Sequence, residues 1–260
     1  MVIIQRLRRD APWGWLKGGF ADMLANPFLS IGYGAMFVLV GLAITVGLWW
    51  LDMLALTPVL VGGFALVAPA FAVGIYRINQ VIEAGETPRL LDFWRIPPTR
   101  LGQLALLSVL LLVFFLSWAR LAQFLYAGFS HGNYLPPTEF LQFIFTDPAG
   151  LTLLAVGTLV GAVLGFAAFT VSALAFPMLA DQDVDAVTAV VASIKAVIGQ
   201  PFLMLTWAWL IAFITAVGGV FFIVGLAIAF PWLAHASWRA YKDFAPKPDP
   251  KAMGYAEAQE

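Results

Sequence analysis

The sequence predicts an all-α polytopic membrane protein, with six transmembrane helices arranged as three hairpins and an interfacial helix before each hairpin. Three observations carry this. Hydrophobic residues make up 62% of the chain and charged residues 11%, against about 45–50% and about 25% in soluble domains. The apolar residues fall in long uncharged runs, and a bilayer core of about 30 Å needs about 20 helical residues to cross it. The lysines and arginines gather on one side of those runs, as they do on the cytoplasmic side of membrane proteins.

The spans follow in order. Ser30–Leu51 is uncharged and long enough for the first. A basic start (Arg6, Arg8, Arg9) is separated from it by Trp13–Pro27, and no small-residue cleavage site follows. The segment therefore reads as a retained span rather than a removed signal. Asp52 breaks the run, and Met53–Tyr76 forms the second span, stopped by Arg77. Leu101–Tyr126 is the third, with a single charge at Arg120, and Leu151–Ala180 is the fourth, ending at Asp181, Asp183 and Asp185. From Ala196 to Trp238 there is no Asp, Glu, Lys or Arg, a stretch too long for one helix. Gly218 and Gly219 in its middle predict a tight turn between Pro201–Val217 and Val220–Trp238. Residues 1–243 are then one membrane domain and 244–260 a flexible tail.

Every lysine and arginine except Arg120 lies before span one, between spans two and three, between four and five, or after six. The opposite loops hold Asp52, Glu139 and Asp147 and no basic residue. Both termini are therefore expected in the cytoplasm, with the chain a multi-pass protein of a bacterial inner membrane.

Three cytoplasmic segments, Trp13–Leu24, Arg89–Ile96 and Ala186–Ile198, each precede a hairpin and lead to a proline (Pro27, Pro97-Pro98, Pro201). In the last, Val187, Val190, Val191, Ile194, Val197 and Ile198 fall on one helical face. Such segments are expected to lie in the interface, with Trp13, Trp15 and Trp94 at headgroup depth. The returning helices align on Pro69, Pro177 and Pro231. Alanine recurs three positions on and a charge eight positions on, the pattern of a threefold repeat. In the one sizeable opposite loop, Pro136–Phe145 reads as a short interfacial helix and Thr146-Asp147-Pro148 as a helix start.

Catalytic and metal chemistry find little support. There is no cysteine, which removes disulfides, thiolate zinc and cysteine nucleophiles, and the only histidines are His131 and His235. No cofactor, metal or catalytic residue is assigned, and no nucleic-acid partner. The Asp181–Asp185 string is not a calcium loop, because Ala186 and Ala192 stand where such a loop needs glycine and glutamate. Two readings stay open: Asp183 or Asp185 capping the following helix, or the aspartates binding an ion or a partner. Arg120 either snorkels to headgroups past Trp118 and Tyr126 or lines a polar pocket with Glu139 or Asp147. Gly157, Gly161 and Gly165 form a stripe suited to helix packing, within one chain or between two copies. His235, near Trp232 and Trp238, reads as an interfacial hydrogen-bonder rather than a ligand.

The stretches Asp22–Phe37, Phe176–Val197 and Pro231–Asp243 resemble a bacterial family of predicted integral membrane proteins, domain of unknown function 2189. The resemblance implies no activity, cofactor or catalytic residue, only that the aspartate segment and the His235–Tyr241 end are architectural. The expected function is therefore non-enzymatic: a membrane scaffold, assembly or lipid-interacting protein, with membrane lipids, other membrane proteins or a second copy as partners. A transporter or channel for an apolar or amphiphilic solute is the alternative.

Overall fold

The computed structural model describes residues 6–51, 53, 56–132, 135–220 and 222–245, and among them every regular element is helical. The order is α1 (Ala11–Ala25), α2 (Pro27–Trp50), α3 (Thr57–Phe71), α4 (Val73–Glu83), a 3₁₀ turn (Leu90–Trp94), α5 (Pro98–Phe129), α6 (Pro137–Thr146), α7 (Pro148–Ser172), α8 (Ala175–Asp181), α9 (Ala186–Gly199), α10 (Pro201–Val220) and α11 (Phe222–Phe244). Asp52 and the residues from 246 onward fall outside the described residues.

Five helical stretches are long and apolar enough to cross a membrane: Pro27–Trp50, Val59–Glu83, Pro98–Phe129, Pro148–Asp181 and Pro201–Gly219. The expected sixth span is helical but is not one of these five. Helix α11 continues past Trp238 through Arg239, Lys242 and Asp243, so its second half is polar. A second correction concerns Gly218 and Gly219. Both remain inside α10, and the chain reverses beyond Val220. Gly218 serves a close approach instead: a Cβ on Gly225 of α11 would run into the Gly218 backbone.

Local chemistry sets the element boundaries. Proline occupies the first turn of α1, α2, α3, α5, α6 and α7, where its missing N–H costs no intrahelical bond. Asp147 caps α7 by accepting from Ala149 N at 2.8 Å, and Asp185 caps α9 by accepting from Thr188 N at 2.8 Å. The corners from α1 into α2 and from α9 into α10 are alike. Asn26 sits at φ −136°, ψ 62° before Pro27, and Gln200 at φ −139°, ψ 62° before Pro201. Proline drives its predecessor out of the helical region, so each helix must end there. Before α5 the corner differs: Asp92 closes the 3₁₀ turn, accepting from Arg89 N at 2.7 Å and Arg95 Nη1 at 3.0 Å.

The break between α7 and α8 has an identifiable cause. In a continuous helix Leu174 N would donate to Thr170 O. Here the Ser193 hydroxyl of α9 stands between them, donating to Thr170 O at 2.8 Å and accepting from Leu174 N at 3.2 Å. A side chain inserted into the ladder bends the helix without leaving either group unpaired.

The core is concentrated toward the end that carries the basic residues and reaches into the apolar stretches at Leu111 and Leu210. Met23, Ile75, Ile78, Phe176, Leu179 and Trp238 are all fully buried there. Helix α11 is the hub, packed against α1, α2, α4, α8 and α10. By contrast, only 17% of the apolar window of α2, and the same share of α5, is buried. Lipid tails are as apolar as leucine, so nothing drives two spans together in the hydrocarbon except packing and hydrogen bonds. At the basic end the helices close up around α11. Trp49 and Trp50, both exposed, end α2 about 36 Å from its start at 1.5 Å per residue, suited to the far headgroup layer.

Helix α1, expected to lie in the interface, also packs on the bundle. It runs beside α11, burying Trp15, Leu16, Gly19 and Met23. A Cβ on Gly19 would meet the Ala236 backbone N at 2.5 Å, which shows how closely the two helices lie. Trp15 stands edge-on to Trp207 at 5.5 Å, and Trp232 Nε1 donates to Leu16 O at 2.8 Å.

Candidate functional site

Three buried polar side chains meet where α2, α4 and α11 converge. Ser30 and His235 have no exposed surface, and Asn79 is 4% exposed. Ser30 Oγ lies 3.0 Å from His235 Nε2, and Asn79 Oδ1 lies 2.8 Å from His235 Nδ1. Asn79 Oδ1 only accepts, so Nδ1 carries the proton and Nε2 takes the Ser30 hydroxyl. Nucleophile, base and orienting group thus stand in the relation that activates serine in acyl-transfer enzymes. Ser30 itself has no exposed surface in this arrangement. The trio is a clamp joining three helices. It leaves one loose end, since Asn79 Nδ2 is buried without a partner.

Packing beside the clamp depends on a proline. Pro231 has no N–H, so the Ala227 carbonyl one turn back loses its helical partner. Gly34 of α2 lies directly over that carbonyl, and a Cβ there would also meet Pro231 Cδ at 2.9 Å. Only glycine permits such proximity, and its Cα–H groups face the orphaned oxygen. One residue earlier, Tyr33 OH donates to Phe71 O at 2.7 Å, tying α2 to the end of α3.

Outside the apolar layer the C-terminal turns of α11 carry a chain of ionic contacts. Arg239 forks onto Asp22 of α1, with Nε–Oδ2 2.5 Å and Nη2–Oδ1 2.6 Å. The hydrogen bond to Asp22 raises the arginine pKa further. Lys242 Nζ lies 3.1 Å from Glu83 and 3.4 Å from Asp181. Burial alone would lower its pKa, but the Glu83 bond and the Asp181 charge outweigh that and raise it. Tyr241 OH donates to Asp181 Oδ2 at 2.8 Å and accepts from Gln182 Nε2 at 2.8 Å. Burial first, then the Asp181 charge, pushes the Tyr241 phenol upward. Trp238 Nε1 donates to Glu83 at 2.7 Å and Trp15 Nε1 to Asp243 at 2.7 Å.

The three aspartates separate into different roles. Asp185 is the cap of α9, and its hydrogen bond from the Thr188 hydroxyl holds its carboxyl below the ordinary range. Asp181 is drawn inward to Tyr241 and Lys242. Asp183 is exposed, with no hydrogen bond or ion pair among the described residues. Arg120 is exposed on α5, its Nη1 3.3 Å from Gln123 Oε1, and the structure pairs it with neither Glu139 nor Asp147. On α7 a Cβ at Gly161 would touch the Trp118 ring at 3.2 Å, whereas Gly157 and Gly165 face open space. His235 is a hydrogen-bonder, as expected, but in the core rather than the interface.

Sequence reasoning missed the clamp and the Arg239–Asp22 fork. Their partners stand 156, 205 and 217 positions apart, and no local spacing announces them. Pro231 was the available signal, because a proline inside a span marks an orphaned carbonyl four residues earlier.

Neither a curated protein nor a solved structure matches the chain. Of the three stretches that carry the family likeness, only Phe176–Asp181 lies inside the region a family model matches. That region runs from the start of α3 through α8, the second to fourth of the long apolar stretches. Residues 56–181 match the model of the family described as predicted integral membrane protein (DUF2189), the family to which the likeness pointed.

Proposed function

We propose that the chain is a non-enzymatic membrane protein that organises lipid or protein partners through its basic end. In this reading it crosses a bacterial inner membrane six times, as three hairpins, with both termini in the cytoplasm. One observation carries the functional part. The basic end is a packed platform of buried core, clamp and ion pairs, while α2 and α5 turn most of their surface outward. A transporter that holds an anionic group on Arg120 would want that residue in a polar pocket, and Arg120 is exposed beside Gln123. Purification from native membrane with crosslinking and mass spectrometry is expected to recover a reproducible lipid or protein partner. A partner-free monomer that moves a solute across vesicles would overturn the proposal.

The six-span topology draws support from α11 returning along α10 to place Tyr241 beside Gln182 and Phe244 beside Trp15. The alike corners at Asn26 and Gln200 support the repeat, as does the burial of Ala72, Ala180 and Ala234 at equivalent positions. The chain has no cysteine, so single cysteines report topology cleanly. Lys195→Cys and Ala245→Cys are expected to react with an impermeant maleimide only after the inner membrane is opened. Glu139→Cys is expected to react beforehand. Residues 195 and 245 labelling from opposite sides would reduce the count to five.

A further inference from the structure

Two clefts open side by side at the basic end and share Ala11, Gly14 and Asp243 in their walls. The first, of about 550 Å³, is lined further by Arg6, Arg8, Asp10, Trp13 and Lys17. The second, of about 600 Å³, is lined further by Asp22, Asn79, Glu83, Trp238, Arg239 and Lys242. We propose that these clefts hold the headgroup of an ethanolamine phospholipid, with the phosphodiester at Arg6 and Lys17 and the ammonium on Asp243. The proposal rests on the lipid-organising reading above and names the lipid.

The unspent charges define the ligand. Arg8 is paired with Asp10, Arg239 with Asp22, and Lys242 with Glu83 and Asp181. Among the described residues no carboxylate lies within ion-pair distance of Arg6 or Lys17, which leaves two cations for an anion in the first cleft. Asp243 is the converse. It accepts from the neutral Trp15 Nε1 at 2.7 Å and forms no ion pair among the described residues, although Arg239, itself paired with Asp22, feels its charge. A ligand spanning the shared wall therefore meets unpaired positive charge on one side and, on the other, a carboxylate without an ion pair among the described residues.

The mouth indicates a lipid rather than a soluble zwitterion. Trp13, Phe20 and Leu24 are exposed on α1 at helical spacing, Trp13 at 59%, and Lys17 falls on the same stripe. Trp13 and Lys17 also line the first cleft, so its opening adjoins an apolar strip along which acyl chains can lie. A primary ammonium donates hydrogen bonds to a carboxylate, and a trimethylammonium has none to donate. A glycerol headgroup offers Asp243 no cation at all. Ethanolamine fits all three demands.

The test is mass spectrometry of lipids retained by the full chain after detergent extraction from vesicles holding equal phosphatidylethanolamine and phosphatidylcholine. The ethanolamine lipid is expected to be enriched about threefold, the scale of one exposed ion pair. Asp243→Asn keeps an oxygen for the Trp15 bond, so the thermal midpoint should hold while the enrichment falls to parity. Lys17→Gln should lower retention of both lipids. Soluble glycerophosphoethanolamine at equal concentration should displace neither, and displacement would overturn the lipid assignment. Retention without preference, or a preference that survives Asp243→Asn, would overturn this site and leave the lipid-organising reading intact. A chain that retains no lipid at all would remove both.

Discussion

Gly34→Leu is expected to force α2 away from α11 and to give a large loss of stability. The added side chain has nowhere to go. One wall is the Ala227 carbonyl, the other is Pro231 Cδ, and both are backbone or ring atoms that do not swing aside. Overpacking a tight site costs about 1–3 kcal/mol. Separation of the two helices also breaks the Ser30–His235 bond one turn away, which adds to the loss. Tryptophan fluorescence, with ten tryptophans as reporters, is the measurement. At about 2–4 °C per kcal/mol for chains of 150–250 residues, the thermal midpoint in detergent should drop by several degrees. Gly32→Leu is the control: nothing lies within 4 Å of a Cβ there, and the midpoint should stay near the parent's. An unchanged midpoint for Gly34→Leu would show that α2 does not rest on α11 as described.

His235→Leu is expected to come next. The substitution keeps an apolar volume in the core but strands Ser30 Oγ and Asn79 Oδ1, neither of which has another partner among the described residues. Each stranded group costs about 1–3 kcal/mol. Asn79 already carries an unpaired Nδ2, so the whole amide would lose its bonding. The discriminating variant is the triple replacement Ser30→Ala, His235→Leu, Asn79→Leu. Removing every polar partner together should recover most of the lost stability, because the penalty lies in the stranding and not in the absence of the bonds. If the single variant melts with the parent, or the triple melts with the single, the clamp is not a cohesive unit.

Much of the fold was legible because the relevant forces are local. Uncharged length marked the membrane-crossing stretches, and proline or aspartate in a first turn marked where helices begin, as Asp147 and Asp185 illustrate. Longer-range relations were not legible. The glycines at 218 and 219 suggested a turn by residue type alone, whereas the need for them lies on the facing helix, at Gly225. Trp13 and Trp15 looked alike in sequence. Only the positions of α10 and α11 decide that Trp15 is buried against Trp207 and Phe244 while Trp13 stays outside. The clamp unites serine, asparagine and histidine, each unremarkable where it stands. The aspartate string looked like one feature and is three, since Asp181 answers to Tyr241, Asp185 to its own helix and Asp183 to solvent.

Ser193 makes the bend in the fourth apolar stretch conditional on a helix outside it. A proline kink is permanent, because the missing N–H is covalent fact. Here Leu174 N and Thr170 O are both intact and are held apart by one borrowed hydroxyl. The angle of a membrane segment is thus written in the position of α9, as a hinge pin is separate from the leaves it joins. Sliding α9 outward frees the two groups to find each other, and the cost of withdrawing the pin is offset by the bond that straightening restores. Any partner that pulls on α9 from the basic side therefore acts on a lever whose far arm is α7, reaching to the opposite face.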